Sequence, residues 1–248
     1  MIVENLIKCA SLNSKGQRIK DVRAGLGYTC VLLEDGSSGL AYTFRNEMGC
    51  SCSILSEAGN LIGKPVEEII PWMKESHLLK ASIGLATINA VVNNRPDANC
   101  GTGNVVDVLN IGETDTFGMV GDFKPILMRV KKKTKKIYVF EQNLSKGVEL
   151  YPEEAIPTYL PQCSVIILTA TSIINHTIDN VLSYCQNARE VCLVGPSTPL
   201  CPEAFQDYNV TTFAGSVVQD IEKALEIVSQ GGGTKSLKSA SKQVLVRI

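Results

Sequence analysis

The sequence predicts an α/β protein in two parts, an α+β unit over residues 1–104 followed by a doubly wound parallel sheet over residues 105–248. Asp35-Gly36, a strong hairpin signal, lies between β-rich segments that helical patterns flank, which marks the first part as strands packed with helices. From residue 105 strand and helix patterns alternate, and β-α-β alternation with short connections implies right-handed crossovers and a parallel sheet. A length of 248 residues, set against about 150 per domain, allows one to two cores.

Ile2 to Leu12 places apolar residues at 2, 3, 6, 7 and 10, a helical spacing that Asn13 to Gly16 stops. Asp21 to Glu34 is rich in Val, Tyr, Thr and Leu and is expected to pair as a hairpin with Gly39 to Phe44. Arg45 to Ser53 is polar and reads as a short strand or exposed loop. Pro65 fits the first residue of a short helix ending near Ile70, because its missing N–H is one the first turn leaves unbonded. A second helix is expected from Ser76, its N-cap, to Asn93, and residues 97–104 read as the connecting loop.

In the second part the expected strands are Thr116 to Gly121, Lys136 to Glu141, Ser164 to Thr171, Glu190 to Gly195 and Thr211 to Val217. Ser164 to Thr171 is an apolar, β-branched run of the kind found in strands buried on both faces. Helices are expected over 125–132, 153–160, 173–188 and 218–229, and the terminal VLVRI either frays or docks as an edge strand.

Charge and composition exclude several functions. Twenty-four Lys and Arg against 25 Asp and Glu leave a net charge of −1, which removes the motive for generic nucleic-acid or anionic-membrane binding. The longest apolar stretch, Val165 to Ile174, contains Thr169, Thr171 and Ser172 and is far shorter than the ~20 residues of a spanning helix. The N-terminal MIVENLIKCASLN carries Glu4 and no basic n-region, so no signal peptide is expected. Nine cysteines, an odd count, point to reduced thiols in a cytoplasm.

In an open parallel sheet the ligand site lies outside the carboxyl ends of the strands. That rule selects four segments. Gly118-Met-Val-Gly121-Asp122 follows the first strand, with Glu141, 20 residues on, where a dinucleotide-binding protein places its ribose carboxylate. Both glycines equally suit a tight strand-to-helix turn. Thr169-Ala-Thr171-Ser-Ile-Ile-Asn175 forms a donor-rich cup, or simply a helix cap. Gly195-Pro-Ser197-Thr-Pro199 is a stiff loop, and Ala214-Gly215-Ser216 ends the last parallel strand. Cys50-Ser-Cys52 is the only close thiol pair; in an extended strand both sulfurs share a face and can chelate a soft transition or heavy metal ion. Cys100 and Cys201 are loop residues placed to reach the same cleft, whereas Cys30, Cys163 and Cys192 read as buried hydrophobes. The lysine run 131–136 reads as a solvated corner, and two histidines are too few for a His-rich metal centre.

Together Gly39-Leu-Ala-Tyr-Thr43, Ala81-Ser-Ile-Gly84-Leu-Ala-Thr-Ile-Asn89, Gly118-Met-Val-Gly121-Asp122-Phe-Lys-Pro125, Thr169 to Asn175 and Gly195 to Pro199 resemble the bacterial and archaeal heavy-metal chelation family of unknown function, in order and over nearly the whole chain. The resemblance implies a domain similar to the enolase N-terminal domain joined to a Rossmann-like domain, with the interdomain cleft as the site. It singles out Asn89, Gly118, Gly121, Asp122, Thr169, Thr171, Asn175, Gly195, Ser197 and Pro199. The expected ligand is a small anionic or heteroaromatic molecule or a metal complex. Two other classes stay open: a nucleotide-dependent dehydrogenase or methyltransferase, and a metal buffer without turnover. Against the nucleotide reading, the third fingerprint glycine is missing and Asp122 sets a negative charge where a pyrophosphate needs donors.

Overall fold

The structure, a computed structural model, describes residues 1–14, 16–49, 53–94, 101, 103–146 and 149–248. A three-stranded antiparallel meander, β1 (Ile19–Ala24), β2 (Tyr28–Leu33) and β3 (Ser38–Tyr42), is accompanied by helices α1 (Ile2–Asn13), α2 (Val66–Ile69) and α3 (Leu78–Val92). The second sheet has seven strands, β4 (Thr116–Val120), β5 (Lys136–Phe140), β6 (Leu150–Tyr151), β7 (Val165–Thr169), β8 (Glu190–Val194), β9 (Thr212–Val218) and β10 (Ser241–Arg247). Their order in space is β10-β9-β8-β7-β4-β5-β6, and all neighbours are parallel except β10, which runs antiparallel to β9. Helices α4 (Val105–Val108), α5 (Lys124–Val130), α6 (Ile156–Tyr159), α7 (Thr171–Ile174), α8 (Ile178–Ser183), α9 (Ile221–Ser229) and α10 (Thr234–Leu237) fill the connections.

Burial explains the pattern. Every residue of β4 and β8 is buried, and so is β7 up to Thr169, as strands covered on both faces must be. α3 is apolar almost all round because it lies between layers: only Leu78 and Lys80 escape burial, while Ser82, Thr87 and Asn89 are carried inside. It presses so closely on β3 that a Cβ on Gly39 would sit 2.2 Å from the Ala86 carbonyl oxygen. No helix among the described residues is long and apolar enough to cross a membrane.

Four elements differ from expectation, each for a local reason. Asp21 to Glu34 is two strands, because the chain turns at Gly25 to Gly27; a side chain at Gly25 would meet the Val228 carbonyl at 2.0 Å. The cap of α3 is His77, not Ser76: its Nδ1 accepts from the Lys80 N–H at 3.4 Å while Nε2 bonds the Ile54 carbonyl at 2.8 Å. Pro65 is the N-cap of α2 rather than its first residue, and it forms a β-bridge with Arg18. The helix expected over 173–188 breaks in two at His176, which adopts φ +61°, and Asn175 Oδ1 accepts from the Thr177 hydroxyl at 2.8 Å. The terminal segment docks as β10 along the full length of β9.

Candidate functional site

The strand order reverses at β4. The chain leaves β4 through α5 toward β5 on one side and returns at β7 on the other, so the loops after β4 and β7 diverge and leave a crevice between them. A cavity of about 670 Å³ occupies this crevice. The turn after β4 contributes Gly121, Asp122 and Phe123; the end of β7 and the start of α7 contribute Thr169, Thr171, Ser172 and Asn175; Glu141, Gln142 and Asn143 follow β5. The small sheet closes the far wall with Tyr28 and Tyr42, and Phe44 and Glu47 follow it. A second groove, about 430 Å³, lies between β1 and α9 and is edged by Asp21, Arg23, Glu222 and Glu226, with Arg23 paired to Asp21 at 2.8 Å.

Gly121 is at φ +94°, and a Cβ there would lie 3.1 Å from Thr169 Cβ, so both the turn and the narrow gap between β4 and β7 require glycine. The Asp122 N–H donates to Glu141 Oε2 at 3.1 Å and the Asn143 N–H to Glu141 Oε1 at 3.2 Å, so Glu141 ties two loops together. On the β7 side the Thr169 and Thr171 hydroxyls bond each other at 2.8 Å, and the Ser172 hydroxyl donates to the Thr169 carbonyl at 2.6 Å. Tyr42 anchors the aromatic wall, edge-on to Tyr28 at 5.9 Å and to Phe44 at 5.1 Å.

The electrostatics are one-sided. Glu47, Asp122, Glu141 and Glu153 line the cavity, and no Lys or Arg does so among the described residues. The four acids do not gather into a ready-made ion cage. Among the described residues, the only group of three His, Cys, Asp or Glu ligand atoms lying within 4.8 Å of one another is elsewhere, at Cys9, Cys201 and Glu203.

Of the ten ligand-binding candidates in the sequence, Gly121, Asp122, Thr169, Thr171 and Asn175 line the cavity. Asn89, Gly118, Gly195, Ser197 and Pro199 do not, and packing explains why. Gly118 lies inside β4, where a Cβ would stand 2.9 Å from Cys163 Sγ. Asn89 is fully buried, and its Nδ2 donates to the Leu40 carbonyl at 2.8 Å and the Ser197 carbonyl at 3.0 Å. The Ser197 hydroxyl accepts the Tyr42 N–H at 2.8 Å, and Asn93 accepts from the Leu200 N–H at 2.7 Å. Gly195, at φ +125°, turns the chain into this loop, and Pro199 is buried within it. The stiff loop is therefore the joint that holds β3 and α3 against the large sheet, and through Tyr42 it sets the position of the aromatic wall.

Cys50, Cys52 and Cys100 lie outside the described residues. Cys201, expected at the cleft, is instead fully buried behind the joint and does not line the cavity. Cys30, Cys163 and Cys192 are buried, and burial raises the thiols of Cys30 and Cys163 to about 12. The His176 Nε2–H donates to the Met73 carbonyl, 2.8 Å away, and the residue is structural. Among the cavity residues that the sequence reading missed are Tyr28, Tyr42, Phe44, Glu47 and Glu153. One signal was available for the tyrosines: they are direct cross-strand partners in the hairpin that Asp35-Gly36 announces.

Fold and cavity define a doubly wound α/β protein with an acidic, aromatic-walled crevice at its switch point. Residues 104–247 match the DUF364 family profile and residues 7–92 the DUF4213 profile, both described as "Putative heavy-metal chelation". The chain belongs to this family. It is similar to an uncharacterized protein of Methanocaldococcus jannaschii, 28% identical across 100% of this chain and 98% of the relative. Among solved structures it is similar to a DUF364 protein of unknown function from Pyrococcus horikoshii, with a TM-score of 0.86 and 26% identity over 100% of both chains. It shares its fold with a DUF364 protein of unknown function from Desulfitobacterium hafniense DCB-2, with a TM-score of 0.81 and 23% identity over 99% of each.

Proposed function

We propose that the crevice binds a small heteroaromatic ligand that carries positive charge, most simply as a chelated metal ion, in a cytoplasmic protein. The observation that carries this reading is that Glu47, Asp122 and Glu153 line the crevice while no Lys or Arg does so among the described residues. A free anion there meets repulsion of about 4 kcal/mol per unit charge at 4 Å for an effective dielectric near 20, whereas a cation gains a comparable amount. Because the acids are not gathered around one point, a bare ion would find no complete ligand set. A metal that brings its own chelator needs only outer-sphere carboxylates and hydroxyls. The aromatic wall supports the flat part of such a ligand, with about 0.5–2 kcal/mol available from each cation–π contact. Thr171 and Asn175 are placed to orient it.

The nucleotide reading is weaker. Both oxygens of Glu141 accept backbone N–H groups, so a ribose would have to compete with them, and the Asp122 N–H that a pyrophosphate would use is already bonded. The cytoplasmic reading is supported by the odd count of nine cysteines, which suits reduced thiols.

Calorimetry with matched metal-loaded and metal-free bipyridyl-type chelators tests the proposal. Saturable binding of the loaded form is expected, weakened at least tenfold by Asp122→Asn with Glu153→Gln. Preferential binding of the metal-free chelator, or of an adenine dinucleotide, would overturn it.

A further inference from the structure

Away from the cavity, three side chains that lie far apart in sequence bring their ligand atoms together. The sulfurs of Cys9 and Cys201 and a carboxylate oxygen of Glu203 all lie within 4.8 Å of one another. Cys9 stands on the buried face of α1. Cys201 is fully buried and immediately precedes the 3₁₀ turn Pro202–Phe205, on which Glu203 is exposed. Cys9 Sγ donates to Glu203 Oε1 at 3.5 Å. The frame around them is firm: Asn5 Nδ2 donates to the Ala204 carbonyl at 3.1 Å, and Pro202 restricts the turn at its first position.

We propose that Cys9, Cys201 and Glu203 form a binding site for a thiophilic divalent cation of the zinc or cadmium type, separate from the crevice and independent of what the crevice binds. The spacing suits the chemistry. A tetrahedral zinc with bonds of about 2.3 Å to sulfur and about 2.0 Å to oxygen sets sulfur and oxygen about 3.5 Å apart, and two sulfurs about 3.8 Å apart. Two thiolates and one carboxylate fill three positions and leave the fourth to a water or a further ligand. The donor set also separates this site from the crevice, whose described lining contains no cysteine and only hard oxygen acids. Position adds a structural effect. α1 packs on α3 and on the 3₁₀ turn Pro202–Phe205, which belongs to the connection from β8 to β9, so a bound ion pins the contact between α1 and that turn.

The test uses the full chain, reduced and handled without oxygen, titrated with cadmium in the presence of a competing chelator. Bound stoichiometry and the near-ultraviolet sulfur-to-cadmium absorption are the readouts. One equivalent with thiolate absorption is expected. It should be lost, with at least a hundredfold drop in affinity, in Cys9→Ala with Cys201→Ala, and be weakened about tenfold by Glu203→Gln. Asp122→Asn with Glu153→Gln should leave it unchanged, which separates failure here from failure of the crevice proposal. A folded Cys9→Ala, Cys201→Ala protein that keeps the same equivalent and absorption overturns the site. A crystal of the cadmium-loaded wild type needs no variant: anomalous density between the three side chains supports the proposal, and density only elsewhere refutes it.

Discussion

The two ends of the seven-stranded sheet use carboxylates in opposite ways. At the amino edge, Asp115 accepts from the Ser164 hydroxyl at 2.7 Å, Arg189 Nη2 at 2.7 Å and the Gly112 N–H at 2.8 Å. Beside it the buried Glu190 accepts from Arg247 Nη2 at 2.5 Å and the Thr211 hydroxyl at 2.8 Å. Burial alone would raise the Asp115 pKa, but the hydrogen bonds from Arg189 and Ser164 outweigh it and hold the group below its usual value. At the carboxyl edge Asp122 and Glu153 face a cavity without a guanidinium or ammonium on its described wall. A carboxylate whose cation is supplied by the chain is structural. One whose cation is not supplied is available to a ligand.

The largest expected effect cuts across this division. Asn89→Ala strips a buried donor from two carbonyls at the joint, which at about 1–3 kcal/mol per unsatisfied group should cost about 3 kcal/mol of stability. Ligand affinity should fall with it, because Tyr42 is held through the same loop; chemical denaturation and calorimetry on one variant check both. Next, Arg247→Ala leaves Glu190 without its nearest cation. Because the arginine is half exposed and solvent screens the pair, a loss of about 2 kcal/mol in urea unfolding is expected, with ligand binding unchanged.

A pH series sharpens the contrast. The lowered Asp115 pKa means that its stabilising share is complete above its unfolded value of about 3.9 and is lost as pH falls through the folded one. Arg189→Ala should return the Asp115 pKa toward its ordinary value and move the acid-unfolding midpoint to higher pH, as carboxyl NMR and circular dichroism between pH 2 and 5 would register. The smallest stability effect is expected at the other edge. Asp122→Asn with Glu153→Gln should change the unfolding free energy by no more than about 0.5 kcal/mol while weakening the ligand at least tenfold. A loss of stability comparable to that of Arg247→Ala would erase the distinction between the edges.

The large sheet was legible because β4 and β8 are buried throughout and β7 is buried up to Thr169, so that Val165 to Leu168 can only be an unbroken apolar run. The strand-end rule selected Gly121, Asp122, Thr169, Thr171 and Asn175, which line the cavity because their position follows from local chain geometry. Ser197, chosen by the same rule, and Asn89, chosen from the family resemblance, do not line the cavity, and the partners that hold them are 155 and 108 residues away. Cys50-Ser-Cys52 drew attention by adjacency, whereas Cys9 and Glu203, separated by 194 residues, meet only after folding. His77 displaced Ser76 as a cap because a contact to Ile54 orients its ring, another pairing that periodicity does not encode.

α9 packs Ala224, Leu225 and Val228 onto Tyr28, Cys30 and Leu32 of the small sheet. During synthesis these strands emerge from the ribosome roughly two hundred residues ahead of their cover, an interval of about 10–40 s at ordinary elongation rates. Throughout it the meander can form its hydrogen bonds yet must keep Cys30, Leu32 and Leu40 open to water, the kind of surface that chaperones hold and neighbouring nascent chains join. A pause or stop in translation before residue 221 thus leaves an apolar sheet uncapped.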